Sequence, residues 1–246
     1  MAQRIFLAGA AGAIGQRMLP LLRAAGLSVT GTTRSAAKAE SLRAQGVEPV
    51  VVDIFDAEAL SRAVKAARPD VVIHQLTDLP QNLEPSLMAQ AIPRNARIRS
   101  EGTRNLVRAA IAAGARRLVA QSIGWAYAPG PEPHAESDPL DADAEGDRGI
   151  TLRGVIALEE LTLHSPPLAG IVLRYGQLYG PGTHSAQPSN LSPVHVDAAA
   201  HAAVLAIDRG RPGAYNIAQP NQHIATEKAQ RELGWNADFR IAEENA

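Results

Sequence analysis

A chain of 246 residues with 46% hydrophobic and 20% charged side chains is long enough to bury a sizeable core within one compact domain. Its 24 basic and 25 acidic residues give a formal net charge of −1 and are mixed along the sequence, which excludes a nucleic-acid face and a membrane-binding basic patch and points to a small-molecule partner. The absence of cysteine excludes disulfides, thiolate metal sites and a cysteine nucleophile, and no His/Asp/Glu spacing suggests another metal site.

The N-terminal apolar run, residues 5–22, is interrupted by glycines, a proline, Gln16 and Arg17, so neither a membrane span nor a secretory signal is expected, and the expected location is the cytoplasm. In chain order, strands are predicted at 4–8, 27–33, 48–52, 71–76 and 117–121. Helices are predicted between them at 13–25, 36–44, 57–67 and over a long region ending at 113, where Pro85 and Pro93 suggest two helical pieces. Gly26, Gly46 and Gly114 follow helices, where a left-handed C-cap needs no Cβ. The strands are continuous apolar runs such as Val50-Val51-Val52 and Val71-Val72-Ile73, as a parallel sheet covered on both faces requires. Residues 127–149, rich in Pro, Gly, Asp and Glu, read as a long loop over the carboxyl edge of the sheet. A helix at 155–163, a strand at 170–174, a helix at 197–208, a strand at 214–218 and a helix at 226–233 complete the pattern.

Gly9-Ala10-Ala11-Gly12-Ala13-Ile14-Gly15 follows the first strand and opens the first helix. In that setting Gly9 permits the turn, Gly12 lets backbone N–H groups approach a pyrophosphate, Gly15 allows close helix–strand packing, and the phosphate lies at the positive helix end. Gly9, Ala11, Gly12, Ala13, Ile14 and Gly15 are therefore the expected phosphate-side residues. At the end of the second strand, Thr32-Thr33-Arg34-Ser35 carries no acidic residue for a ribose 2′-hydroxyl. Arg34 suits a 2′-phosphate instead, so NADP(H) is preferred and NAD(H) remains open. Asp53 and Ile54, after the third strand, border the adenine position, although Asp53 serves equally as a helix cap.

These features together resemble the extended short-chain dehydrogenase/reductase superfamily, in its NAD-dependent epimerase/dehydratase branch. The resemblance is carried by the glycine loop, residues 72–77, Glu101-Gly102-Thr103, the segment Arg174-Tyr175-Gly176-Gln177-Leu178-Tyr179-Gly180-Pro181-Gly182, and the C-terminal blocks His195-Val196-Asp197, Tyr215-Asn216-Ile217 and Leu233-Gly234-Trp235. It implies a Rossmann-type, doubly wound parallel α/β sheet in a single NAD(P)-binding domain over 1–246, with about 175–246 contributing a small C-terminal substrate-binding lobe. It also implies that Leu76, Thr77, Tyr175, Gly176 and Leu178 approach the nicotinamide half of the cofactor, with Ser122 beside them. A homodimer is within expectation.

The family's Tyr-x-x-x-Lys pair is missing: the matching helix places Thr151 and Val155 at those positions, and the three lysines, Lys38, Lys65 and Lys228, do not follow a tyrosine by four residues. Ser122 stands where the family serine is expected. Three readings follow. The first is an NADP(H)-dependent reductase of a small carbonyl or imine, with Tyr127 as the surrogate acid, Thr151 as a hydrogen-bonding group and Arg153 as a substitute positive charge. The second is a non-catalytic NADP(H)-binding regulator or sensor. The third is a sugar-nucleotide epimerase or dehydratase, which loses most by lacking a base. His134, His184 and His195 on carboxyl-edge loops are further proton-donor candidates, each as readily a solvated loop residue.

Overall fold

Strand β1 (Arg4–Ala8) is flanked by β2 (Ser28–Thr33) and β4 (Val71–His74), and the sheet continues outward through β3 (Glu48–Val51) on one side and β5 (Arg117–Ile123), β6 (Ala169–Tyr175) and β9 (Gly213–Ile217) on the other. In this computed structural model, which describes residues 2–242, the seven strands of this sheet pair in parallel in the order β3-β2-β1-β4-β5-β6-β9. The order reverses between β1 and β4, and in open parallel sheets the ligand crevice forms at such a reversal, above the strand carboxyl ends. A short parallel pair, β7 (Gln177–Tyr179) with β8 (Pro193–His195), lies beside the main sheet and has no counterpart in the sequence reading. Each is a three-residue strand, below the length at which periodicity is visible.

Alternate residues of the central strands feed two cores. Ile5, Leu7, Ile73, Val119, Ile171 and Leu173 meet helices α1 (Ala13–Ala24) and α7 (Val196–Leu205) on one face. Phe6, Val72 and Leu118 meet α3 (Ala57–Ala67) and α5 (Thr103–Ala112) on the other. Helix α2 (Ala36–Ala44) covers β2 and β3, and α8 (Glu227–Leu233) packs under β9. Gly26, Gly46 and Gly114 adopt φ of 69°, 79° and 76° directly after α1, α2 and α5. Residues beyond 175 are woven into the main body, since β9 hydrogen-bonds to β6 and α7 packs on α1.

Two helices differ from their expected form. The fourth crossover is one continuous helical run, α4 (Pro85–Arg97), a π-helical turn over Ile98–Gly102, and α5, without a break at either proline. Pro85 occupies the first turn, where its missing N–H costs nothing, and Pro93 is absorbed within the helix. The irregularity falls instead at Ile98–Gly102, where a π turn adds a residue to the helical repeat. Helix α6 (Gly146–Leu163) begins nine residues before the expected start at 155, because Gly146, Asp147 and Gly149 have loop composition although they form its first turn. Gly149 is tolerated there because a Cβ would run into the Ala144 carbonyl, and Gly154 because a Cβ would lie 2.8 Å from Ala96 Cα where α6 crosses α4.

Candidate functional site

The glycine loop separates into positions required by the protein and one that is not. Gly9 has φ +96°, and a Cβ on it would lie 2.7 Å from the Gln75 carbonyl oxygen. A Cβ on Gly15 would run into the carbonyl oxygens of Gly9 and Ala10. Both are forced by contact between β1, β4 and α1. Gly12 has an ordinary backbone, φ −85° and ψ 173°, and a Cβ there would meet nothing nearer than Gly9 O at 3.4 Å. It is therefore a cradle that a methyl group would fill without hurting the protein. No side chain caps α1, so its first N–H groups have no intrahelical or capping acceptor. A pyrophosphate fits that donor set and that space, which is what a dinucleotide cofactor requires here.

From this loop a cleft of about 310 Å³ runs along the carboxyl edge. Gly9, Ala11 and Gly12 form one wall, and Thr33, Arg34, Ser35 and Lys38 form the mouth at the end of β2. Ile54 and Phe55 follow β3, and Gln75, Leu76 and Thr77 follow β4. Of the other expected cofactor residues, Ala13, Ile14 and Gly15 lie behind the loop in α1 and do not line the cleft. Asp53 is exposed and accepts the Phe55 N–H at 2.9 Å; the cap of α3 is Asp56, which accepts from Ala59. Tyr175 is core, its phenol pushed well above its usual pKa by burial, with the Gln75 amide at 3.5 Å as its polar neighbour. Gly176 is held against the Ser192 backbone, and Leu178 packs on the core from β7. Gly182 approaches Ala13, so the 180–182 loop borders the start of α1.

The mouth is bridged by an ion pair. Arg34 Nη2 lies 3.1 Å from Asp78 Oδ1, and Arg94 Nε lies 3.1 Å from Asp78 Oδ2. Phe55, a cleft residue not singled out in the sequence, carries the Arg97 guanidinium 4.0 Å over its ring.

The three proton-transfer candidates do not meet in this cleft. Strand alternation turns Ser122 toward α6, away from the face shared by Val119 and Tyr175. Its hydroxyl donates to Glu159 Oε1 at 2.6 Å, and Glu159 in turn pairs with the Arg174 guanidinium at 2.7 Å, both carboxylate and guanidinium being buried. Tyr127 donates to Asn216 Oδ1 at 2.6 Å and accepts from Arg174 Nη1 at 2.9 Å, while its ring stacks on His134 with centroids 4.9 Å apart. Ser122 and Tyr127 thus converge on the Glu159–Arg174 pair beneath the carboxyl edge. Burial raises the Tyr127 pKa, partly opposed by Arg174. Thr151 lies in the second turn of α6, half-buried, and is not its cap; its hydroxyl makes no hydrogen bond among the described residues. Arg153 and His184 are exposed. His195 caps α7, accepting the Asp197 N–H at 3.2 Å, and Asp197 pairs with Arg17.

The residue missed by sequence reading is Arg99. In the run from α4 to α5, Ala91, Asn95, Ile98, Arg99, Gly102, Thr103, Leu106 and Val107 form the buried stripe, with Arg99 7% exposed. A charged residue falling on that stripe is a signal the sequence carries.

The chain matches the family model described as NAD(P)H-binding over residues 9–145. It is 43% identical over 236 aligned positions to 3-diazoavenalumate denitrifying reductase of a Streptomyces species, covering 87% of this chain and 75% of that one. Among solved structures it resembles a UDP-glucose 4-epimerase of Thermotoga maritima with a TM-score of 0.77 at 19% identity, covering 96% and 94% of the two chains. It also resembles a short-chain dehydrogenase/reductase superfamily protein of Agrobacterium tumefaciens with bound NAD, with a TM-score of 0.75 at 20% identity over 96% and 93%. The cleft, the sheet order and these matches agree: the chain belongs to the NAD(P)H-binding family, and its fold is the one seen in those epimerase and dehydrogenase/reductase structures.

Proposed function

We propose that this protein is an NADP(H)-dependent reductase whose substrate accepts a hydride without needing a proton from a side chain. The observation that carries the reading is the contrast between the two ends of the site. The dinucleotide end has a donor-rich helix start and a Cβ-free cradle at Gly12, whereas the hydroxyls of Ser122 and Tyr127 are committed to a buried network.

Arg34 and Lys38 at the mouth, where the Asp78 carboxylate is taken up by Arg34 and Arg94, support a 2′-phosphate and hence NADP(H) over NAD(H). Gly12 and the first N–H groups of α1 would hold the pyrophosphate, Ile54 and Phe55 would border the adenine, and Leu76 and Thr77 would lie toward the nicotinamide. Bound NADPH would supply a hydride, and a cationic diazonium-bearing carbon accepting it would release N₂ with the C–N bonding pair, so that the cation's charge is discharged by the hydride and no protonated side chain is needed. The relative at 43% identity is named as a reductase that removes nitrogen from a diazo compound whose name is that of an organic anion, which supports the same class for this chain. Reduction of a carbonyl or imine, the expectation from sequence, requires a proton at oxygen or nitrogen, and the buried network does not offer one in the cleft.

Stopped-flow oxidation of NADPH tests the reading, with an aryl diazonium carboxylate as acceptor and evolved N₂ measured alongside. One N₂ per NADPH is the expected stoichiometry. Tight NADPH binding with no turnover on diazo, carbonyl or imine acceptors would instead support the regulator reading, which the committed hydroxyls also favour.

A further inference from the structure

Arg99 is a cation in the protein interior without a counter-charge. It is 7% exposed, and among the described residues it makes no ion pair and no hydrogen bond, so burial alone acts on it and lowers its pKa to about 10, leaving it charged near neutrality. Among the described residues, the polar side-chain atoms sealed from solvent without a partner are Gln75 Oε1, Ser189 Oγ and His201 Nδ1; the Arg99 nitrogens are not among them and so keep some accessible surface. Arg99 sits in the π-helical turn, close enough to the end of β4 to act electrostatically on the fully buried His74. His74 is neutral, its pKa lowered to about 4 by burial and then by Arg99 itself, so it offers the guanidinium no compensation. Ile98, the preceding residue, and Leu76 and Thr77, just beyond His74, all line the cleft, while Arg99 itself is not among its lining residues and stands behind them.

A guanidinium left unpaired in the interior is destabilising, and where its nitrogens keep some accessible surface close to a ligand cleft the missing partner is looked for outside the chain. We propose that Arg99 is an anion-binding group of the site, receiving a carboxylate of the substrate past Leu76 and Thr77, so that the physiological substrate is an organic acid. This rests on the reductase reading for the direction in which the substrate lies. The fork geometry of arginine suits a carboxylate held by two parallel N–H donors, which a lysine at the same position reproduces only as a point charge.

The test uses the whole chain and thermal denaturation with 4-hydroxycinnamate and its methyl ester as probes, each with and without NADP⁺. The acid is expected to raise the melting temperature of the wild type and the ester to leave it unchanged. Arg99→Met, which removes an unpaired buried charge, is expected to melt no lower than the wild type, to bind NADPH within about twofold of it, and to bind the acid at least about tenfold more weakly, the usual worth of one charged hydrogen-bonded contact. Arg99→Lys is expected to keep part of the acid response. Equal shifts by acid and ester, no shift by the acid, or an Arg99→Met protein that melts well below the wild type would overturn the proposal. Loss of NADPH affinity in Arg99→Met to the same degree as acid affinity would also overturn it, by assigning the guanidinium to the cofactor. Failure of the wild type to bind NADPH would defeat the reductase reading alone, because the acid and ester are still compared on the cofactor-free protein.

Discussion

The Arg34 guanidinium and the Asp78 carboxylate stand 3.1 Å apart, and this contact ties the end of β2 to the segment after β4 across the mouth of the cleft. Asp78 holds Arg94 at the same distance, so one carboxylate restrains two arginines where a 2′-phosphate would enter. The Arg34 side chain is 60% exposed, and an exposed pair of this kind is worth only about 0.2–1 kcal/mol. A phosphate that takes two guanidinium hydrogen bonds therefore outcompetes Asp78 for Arg34. Arg34→Ala is expected to weaken NADPH binding about 10- to 100-fold and to leave NADH binding within about twofold. Asp78→Asn, which frees the guanidinium, is expected to tighten NADPH about two- to fivefold with little effect on NADH. Isothermal titration of both cofactors into both variants measures this, and equal losses of NADPH and NADH in Arg34→Ala would remove Arg34 from 2′-phosphate recognition.

The three glycines of the loop predict a separation of stability from binding. Gly12→Ala places its methyl at ordinary contact distance, 3.4 Å from Gly9 O, so the melting temperature is expected to hold within about 2 °C while dinucleotide affinity falls about tenfold or more. Gly9→Ala meets the Gln75 carbonyl at 2.7 Å with φ at +96°, and Gly15→Ala meets two backbone carbonyls, so both are expected to cost stability by about 1–3 kcal/mol before any ligand is added. Chemical denaturation alongside cofactor titration distinguishes the cases. A large stability loss in Gly12→Ala would mean that the space is needed by the protein itself.

The parallel sheet was legible because its central strands β1 and β4 are buried and read as unbroken apolar runs, and because strand, Gly9-to-Gly15 loop and helix follow in immediate succession; the run at Val50-Val51-Val52 instead marks the edge strand β3, where Val51 is exposed. The start of α6 was not, since Gly146 and Gly149 carry loop propensity and are helical only because Gly149 and Gly154 allow close packing against Ala144 and Ala96. The direction of Ser122 follows from counting alternation along β5 from Leu118, but its partner does not, because Glu159 lies 37 residues away on another element. Tyr127 illustrates the same limit: its position after β5 was visible, whereas its acceptor Asn216 is 89 residues distant. Arg99 could have been found by marking the buried stripe of the long helix. Its lack of a partner is a property of the packed structure alone.

The network around Glu159 and Arg174 predicts that the two hydroxyl variants act on stability. Ser122→Ala leaves one carboxylate oxygen of Glu159 without its 2.6 Å donor, and Tyr127→Phe leaves Asn216 Oδ1 and one Arg174 N–H without theirs. Each is expected to cost about 1–3 kcal/mol, and Glu159→Ala, which strands the buried guanidinium, about 3–5 kcal/mol. Turnover by the folded fraction of Ser122→Ala and Tyr127→Phe is expected to stay within a few-fold of the wild type. Urea denaturation and single-turnover rates measured on the same preparations separate the two effects. Tyr127→Phe protein of unaltered stability that no longer turns over would establish Tyr127 as the acid after all.

His74 makes the stability of the fold depend on pH. The Leu76 N–H donates to its Nδ1 at 3.3 Å, which fixes the neutral tautomer with the proton on Nε2, and that N–H donates to Thr103 Oγ1 at 3.0 Å. A second proton would have to enter at Nδ1, facing the Leu76 N–H, in a fully buried site that already contains the positive Arg99, and the pKa is accordingly lowered from 6.5 to about 4. The unfolded chain takes up this proton as pH falls through 6.5, whereas the folded chain does not until about 4. Between those values the unfolded state therefore binds more protons, and the stability present above pH 6.5 is lost as pH falls, by about 1.4 kcal/mol per unit and about 3 kcal/mol in all. His74→Asn retains an acceptor for the Leu76 N–H and removes the titration. Its unfolding free energy is expected to fall by about 2 kcal/mol less than that of the wild type between pH 7 and pH 5, whatever its absolute stability. His195 and His201, whose pKa values burial also lowers, remain in both proteins and cancel in the comparison. Urea unfolding at the two pH values gives the difference directly. Parallel losses in the two proteins would show that His74 takes up its proton in the folded state and that the interior at the end of β4 is open enough to charge it.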